Sequence, residues 1–160
     1  MQKHVALFVV VALSTASRLL AQDTAEFYNH GYGFFAAGSN SGSALMHFGG
    51  GGEAGIYRGL GAGAEIGYLT RFADFGDGFG VFSPNGVYQF PIASTKLTPF
   101  ATGGYSLAFR SGTAHGFNFG GGVHYSLSDR SGLRLEFRDQ VFDFGTFEHF
   151  YGFRLGISFR

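Results

Sequence analysis

Apolar and polar residues alternate one by one along most of this chain. The clearest stretch sets Leu133, Leu135 and Phe137 against Arg134, Glu136 and Arg138. A helix turns by about 100° per residue and would mix those two sets, whereas a strand sends successive side chains to opposite faces. The same parity separates Tyr151, Phe153, Leu155, Ile157 and Phe159 from Gly152, Arg154, Gly156 and Ser158. It separates Phe117, Phe119, Val123, Tyr125 and Leu127 from Asn118, Gly120, Gly122, His124 and Ser126. Earlier, Met46, Phe48, Ala54 and Ile56 oppose His47, Gly49, Gly51 and Glu53, and Ala62, Ala64, Ile66 and Tyr68 oppose Gly61, Gly63, Glu65 and Gly67.

Turn residues divide the pattern into eight predicted strands, at 27–38, 44–57, 60–73, 79–91, 96–110, 115–127, 132–143 and 148–159. Three links are tight: Arg58-Gly59, Pro91 to Thr95, and Ser128 to Ser131. They alternate with slightly longer ones around Ser39–Gly42, Asp74–Gly78, Ser111–Ala114 and Gly145–Phe147, and these outer links are expected to be short, roughly four to seven residues between strands. Eight strands joined in this way predict an antiparallel meander.

The first 21 residues follow a different rule. Lys3 and His4 precede an unbroken apolar run, Val5 to Leu13, and then the smaller and more polar STASRLLAQ. Nine apolar residues cannot cross a bilayer, which takes about 20, but they suit the core of a secretory signal. The expected division is a signal peptide at 1–21, cleaved after Ala21 or alternatively Ala16, and a barrel domain at 22–160. Removing residues 1–21 takes away Lys3 and Arg18 and no acid, leaving nine basic against eleven acidic residues.

Composition decides which face points where. The 160 residues make room for one domain and include 28 Gly, 21 Phe and 8 Tyr, with no Cys and no Trp. The lack of Cys excludes disulfides and thiolate metal sites, and the charge balance speaks against a nucleic-acid partner. Three Pro exclude collagen, and the aromatic content excludes disorder. A water-facing strand surface would be dense in Lys, Glu and Thr, yet Lys96 is the only lysine after residue 21. A small face of Gly, Ser and Asn carrying scattered Arg and Glu suits the interior of a narrow closed barrel. The bulky apolar face then meets lipid. The fold class predicted is therefore all-β, an eight-stranded antiparallel up-and-down transmembrane β-barrel, with Phe outside and Gly inside. Such a barrel is also the spanning structure open to a chain without an apolar 20-mer.

The segment GGGVHYSLSDRSGLRLEFRDQ (Gly120 to Gln140) and the closing YGFRLGISFR resemble the last three strands of small outer-membrane β-barrels, the OmpA transmembrane domain and OmpX type. The resemblance implies the outer membrane of a Gram-negative-type bacterium. It also implies assembly by the barrel-insertion machinery, with the alternating last strand (Tyr151, Phe153, Leu155, Ile157, Phe159) as the recognised element. The expected partners are outer-membrane lipid and that machinery, with no nucleic acid, and the expected state is a monomer.

Parity places Glu53, Glu65, Arg71, Arg110, Arg134, Glu136, Arg138 and Arg154 on the inward face. An unpaired buried charge is strongly destabilising, so Glu53, Glu65 and Glu136 are expected to form a crossed network with Arg134, Arg138 and Arg154 that plugs the barrel. Arg71 and Arg110 are expected near the outer mouth. The function expected is structural, supporting envelope integrity or surface contacts, with no catalytic residue, metal or cofactor. His124, Ser126 and Glu136 share the inward face and supply the parts of a hydrolase triad, so a lipid A-type deacylase is one alternative. They fall at the end away from the outer leaflet, and Leu127-Ser128-Asp129 replaces the Asn and Gly that normally follow such a pair. An exported soluble barrel binding a small apolar ligand is the other alternative. The GGGGEAG run precedes no helix and makes no phosphate cradle. Asp74–Gly78 reads as an acidic outer loop, with Asp143 and Glu148 on the same side.

Overall fold

The computed structural model describes residues 29–90, 92 and 95–160. The expected signal peptide, the first two residues of the first predicted strand and part of the Pro91–Thr95 link lie outside the described residues. Eight strands follow in chain order: β1 His30–Asn40, β2 Ser43–Tyr57, β3 Leu60–Arg71, β4 Asp74–Gln89, β5 Leu97–Phe109, β6 Thr113–Ser126, β7 Ser131–Asp143 and β8 Phe147–Phe159. Each pairs antiparallel with its sequence neighbour, and β8 returns to β1 through pairs such as Ile157 with Gly33 and Leu155 with Phe35. The sheet is therefore closed, so no edge strand remains to be covered.

The strand order and most boundaries agree with the alternation. Two links do not. Asp74–Gly78, expected as an acidic loop, forms the start of β4, because the chain reverses through Phe72 and Ala73 alone and pairs Arg71 with Asp74. The Thr70 hydroxyl donates to the Asp74 carbonyl at 2.9 Å and the Tyr68 hydroxyl to the Phe75 carbonyl at 2.9 Å. Phe75 also stacks on Phe48, with ring centroids 6.1 Å apart and planes 8° from parallel. These contacts hold an otherwise turn-like composition in extended pairing. The β4–β5 connection, expected to be tight, runs from Phe90 to Lys96.

The four outer links are consequently shorter than expected. Only Ser41-Gly42, Phe72-Ala73, Arg110–Gly112 and Phe144–Thr146 separate the strands at that end. Ser41 (φ 46°) and Gly42 (φ 84°) both take positive φ, as do Arg58 (φ 42°) and Gly59 (φ 81°) at the other end. Two positive-φ residues in a two-residue hairpin match the right-handed twist of the flanking strands.

The size rule for the two faces also needs correction. Tyr32, Phe34, Phe100 and Phe142 point inward and are buried, and outward glycines occur at Gly31, Gly33, Gly50 and Gly52. Inward glycines nevertheless have a steric reason. At Gly38, Gly49, Gly116, Gly120 and Gly122 an added Cβ would fall 2.0 to 2.3 Å from a carbonyl oxygen of the neighbouring strand. Strands coiled around so narrow a lumen bring backbones together on the concave side, and only glycine fits there.

Candidate functional site in the barrel lumen

Inward side chains sort into three layers. The middle layer holds the charges that parity brings to the inward face of β2, β3, β7 and β8. Glu53 on β2 pairs with Arg134 on β7 at 2.9 Å, and Arg134 reaches Glu136 at 3.0 Å. Glu136 accepts from Arg138 Nε at 2.5 Å, Arg138 crosses to Glu65 on β3 at 3.1 Å, and Glu65 meets Arg154 on β8 at 2.9 Å. Acid and base thus alternate through one chain, Glu53–Arg134–Glu136–Arg138–Glu65–Arg154, and of the eight charges that parity places inward Arg71 and Arg110 lie outside it. All six residues of the chain are buried.

Neutral side chains complete this layer, and several were not legible as site residues. The Tyr32 hydroxyl donates to Glu65 at 3.0 Å, and Arg154 Nη2 lies 3.1 Å from His47 Nδ1. Arg138 donates to Asn118 Oδ1 at 3.1 Å, while the Asn118 amide donates to Asn85 at 2.8 Å and to Ser106 at 2.9 Å. Ser106 and Ser83 share a hydrogen bond of 2.8 Å. The polar bonding therefore continues from the charged strands across β4, β5 and β6. The inward aromatics serve the same cations. The Arg134 guanidinium sits 3.9 Å from the Phe100 ring centroid and 4.7 Å from that of Tyr32, and Arg154 sits 4.3 Å from Phe34. A desolvated guanidinium over an aromatic face gains on the order of 2 kcal/mol.

The outer layer is apolar. Leu45, Leu69, Val81, Ala108, Ala114 and Phe142 form a buried cluster against which Phe79 and Phe150 pack. Phe79, Phe142, Phe144 and Phe150 make all six possible ring pairs among themselves, with centroids 5.7 to 6.2 Å apart. Between this quartet and the ion chain lies a gap of about 20 Å³, lined in part by Leu45, His47, Arg138, Gln140 and Arg154. That is space for a single water. At the rim above, Arg71 and Arg110 are exposed. Arg110 is tied to Asp77 Oδ1 at 2.5 Å and to the Gly76 carbonyl at 2.9 Å. The bond to Asp77 raises the guanidinium pKa above its ordinary value.

The inner layer is polar and open. His124 Nε2 lies 2.5 Å from Ser158 Oγ on β8, and the His30 and His124 rings are 5.3 Å apart. The triad combination considered above is not assembled. His124 bonds Ser158 rather than Ser126, and the Glu136 carboxylate is taken by Arg134 and Arg138.

On the outer face, Tyr151, Phe153, Leu155, Ile157 and Phe159 of β8 all project away from the lumen. Ionisable side chains pair on that face as well: Asp139 Oδ2 lies 2.7 Å from His149 Nδ1, and the Tyr105 hydroxyl bonds His115 Nδ1. The sequence signal of the first pair is the acid at an outward parity position after Arg138, which the pattern alone did not flag. Among the described residues no group of three or more His, Cys, Asp or Glu could hold a metal ion.

No protein-family model and no curated protein matches this sequence. Solved structures do match in fold. Neisserial surface protein A (NspA) superposes with a TM-score of 0.63 at 15% identity, covering 86% of this chain and 99% of that one. The N-terminal β-barrel domain of Pseudomonas aeruginosa OprF gives 0.56 at 15% identity, over 82% and 98%. Ail, the attachment invasion locus protein of Yersinia pestis, gives 0.53 at 11% identity, over 82% and 95%. The chain has the fold of small eight-stranded antiparallel β-barrels, the fold that the OmpA- and OmpX-type resemblance implied.

Proposed function

We propose that this protein is a structural, non-catalytic barrel of a bacterial outer membrane, with a lumen closed by its own side chains. The observation that carries the proposal is the unbroken ion chain from Glu53 to Arg154 beneath the aromatic quartet. Eight strands leave a lumen that side chains can fill, and here charged and aromatic layers both occupy it. The outward surface supports membrane residence, because Phe35, Ile66, Phe82, Phe117, Leu135 and Phe153 on six different strands are all substantially exposed. Water would penalise that surface and hydrocarbon would not. The outward row on β8 suits recognition by the barrel-insertion machinery, and the mature protein is a monomer that contributes envelope integrity or surface contacts.

The test is conductance in planar lipid bilayers. The refolded barrel is expected to insert without ion-conducting steps, and insertion is confirmed by its heat-modifiable migration on gels. Steady channel openings by the wild-type protein would overturn the closed-lumen reading.

A further inference from the structure

The outer mouth carries apolar surface that closing the lumen does not require. Two adjoining cavities of about 260 and 270 Å³ open there and share Phe79, Arg110 and Phe144 in their walls. Leu45, Leu69 and Phe150 continue the first, and Ala108 and Ala114 the second. The links around the mouth are too short to fold over it, and Phe144 stands 48% exposed although it belongs to the aromatic quartet. An open apolar cleft of this kind is a common form of small-molecule site when a few polar groups converge on it.

The polar groups on the rim are not equivalent. Arg110 is committed to Asp77 and the Gly76 carbonyl, and Glu148 accepts from Asn40 Nδ2 at 3.4 Å. The Arg71 guanidinium lines the same cleft and makes no hydrogen bond or ion pair among the described residues. One uncommitted cation beside an apolar cleft matches a ligand with one anionic head and an apolar tail. Asp77 and Glu148 on the same rim disfavour a polyanion such as a nucleotide by like-charge repulsion. Each volume lies just below the roughly 300–1,000 Å³ typical of drug-sized ligands, which disfavours a folded peptide.

We propose that the outer mouth binds a medium-chain fatty carboxylate, with its chain in the Phe79–Phe144–Phe150 cleft and its head on Arg71. This goes beyond the structural role above and does not depend on whether the lumen conducts.

The chain has no Trp, so Phe144→Trp introduces a single fluorescent reporter at the site. With that variant refolded in lipid nanodiscs, octanoate is titrated and octanol serves as the uncharged control. A saturable change in tryptophan emission is expected with octanoate. Adding Arg71→Gln is expected to weaken octanoate by about tenfold or more, as loss of one charge-assisted hydrogen bond implies, and to leave octanol unchanged. A saturation-transfer NMR measurement on protein carrying the native Phe144, corrected with empty nanodiscs, reads the same binding without the reporter. Failure of octanoate to saturate in both measurements would overturn the proposal, and so would equal weakening of octanoate and octanol by Arg71→Gln. Heat-modifiable migration of each variant separates loss of binding from loss of fold.

Discussion

Strand β7 shows the two faces of the barrel side by side. Arg134, Glu136 and Arg138 are each 2% exposed, while Leu133, Leu135 and Phe137 between them are 37%, 52% and 41% exposed. A water-soluble sheet would bury the second set and solvate the first. The inversion sets inward side chains held by specific partners against outward ones that suit surroundings resembling hydrocarbon. Inside, the side chains of the ion chain have particular partners whose loss leaves something uncompensated. Outside, lipid substitutes for whatever is removed.

The difference should be largest at the ion chain. Glu136 is the bridge between Arg134 and Arg138, so Glu136→Ala takes one of two carboxylate partners from each of two buried cations, leaving Arg134 on Glu53 alone and Arg138 on Glu65 alone. Removing one partner of a buried pair typically costs about 3–5 kcal/mol. Urea unfolding in phospholipid vesicles is expected to show a loss of that order, and an unchanged midpoint would mean that water fills the lumen and screens the charges. The outward pair Asp139–His149 supplies the contrast. His149 is well exposed, so His149→Asn is expected to shift the same midpoint little.

Aromatics sharpen the comparison because the same residue type occurs on both faces. Phe142 is fully buried inside the outer layer, touching Phe79, Phe144 and Phe150. Phe142→Ala should open a cavity and cost about 3–5 kcal/mol. Phe153, 66% exposed on the outward face, has one ring partner, Phe137, at 5.3 Å. Its truncation is expected to cost about 1 kcal/mol, the worth of an aromatic pair. Equal losses measured by vesicle unfolding would erase the distinction between the faces.

That pair of phenylalanines also marks where the sequence was legible. The charged positions on β7 and β8 could be read directly, because Arg and Glu alternating with Leu and Phe admit one parity. Glu53 and Glu65 followed from the same rule on β2 and β3. Tyr32 and Phe34 were not legible, since an aromatic that faces a lumen looks the same in sequence as one that faces lipid. Their inward direction follows from register, which sets Tyr32 opposite Gly51 and Phe34 opposite Gly49, where glycine leaves room for a ring. It follows also from the guanidiniums of Arg134 and Arg154 that lie over those rings. Gln140-Val141-Phe142 offers apolar residues to both faces, so the outer layer could not be inferred from alternation. The extent of β4 depended on contacts from Tyr68 and Thr70 across a turn, which no local composition encodes.

Glycine gives the finest test, because the perturbation is one methyl group. At Gly122, facing inward, an added Cβ would lie 2.0 Å from the Leu135 carbonyl oxygen and 2.7 Å from Glu136 Cα. Neither is the end of a flexible side chain, so backbone must move, and overpacking of that kind costs about 1–3 kcal/mol. The shift would also displace β7 where Arg134 and Glu136 are held. At Gly52, facing outward, the nearest atom is the His30 carbonyl oxygen at 3.5 Å, an ordinary contact. Gly52→Ala is expected to stay within about 0.5 kcal/mol of wild type, as surface changes do, with any gain coming from the reduced freedom of the unfolded chain. The measurement is the difference between the two alanine variants in vesicle unfolding. If Gly52→Ala proves as costly as Gly122→Ala, glycine is required by the twist of the whole sheet and not by the crowding of its concave side.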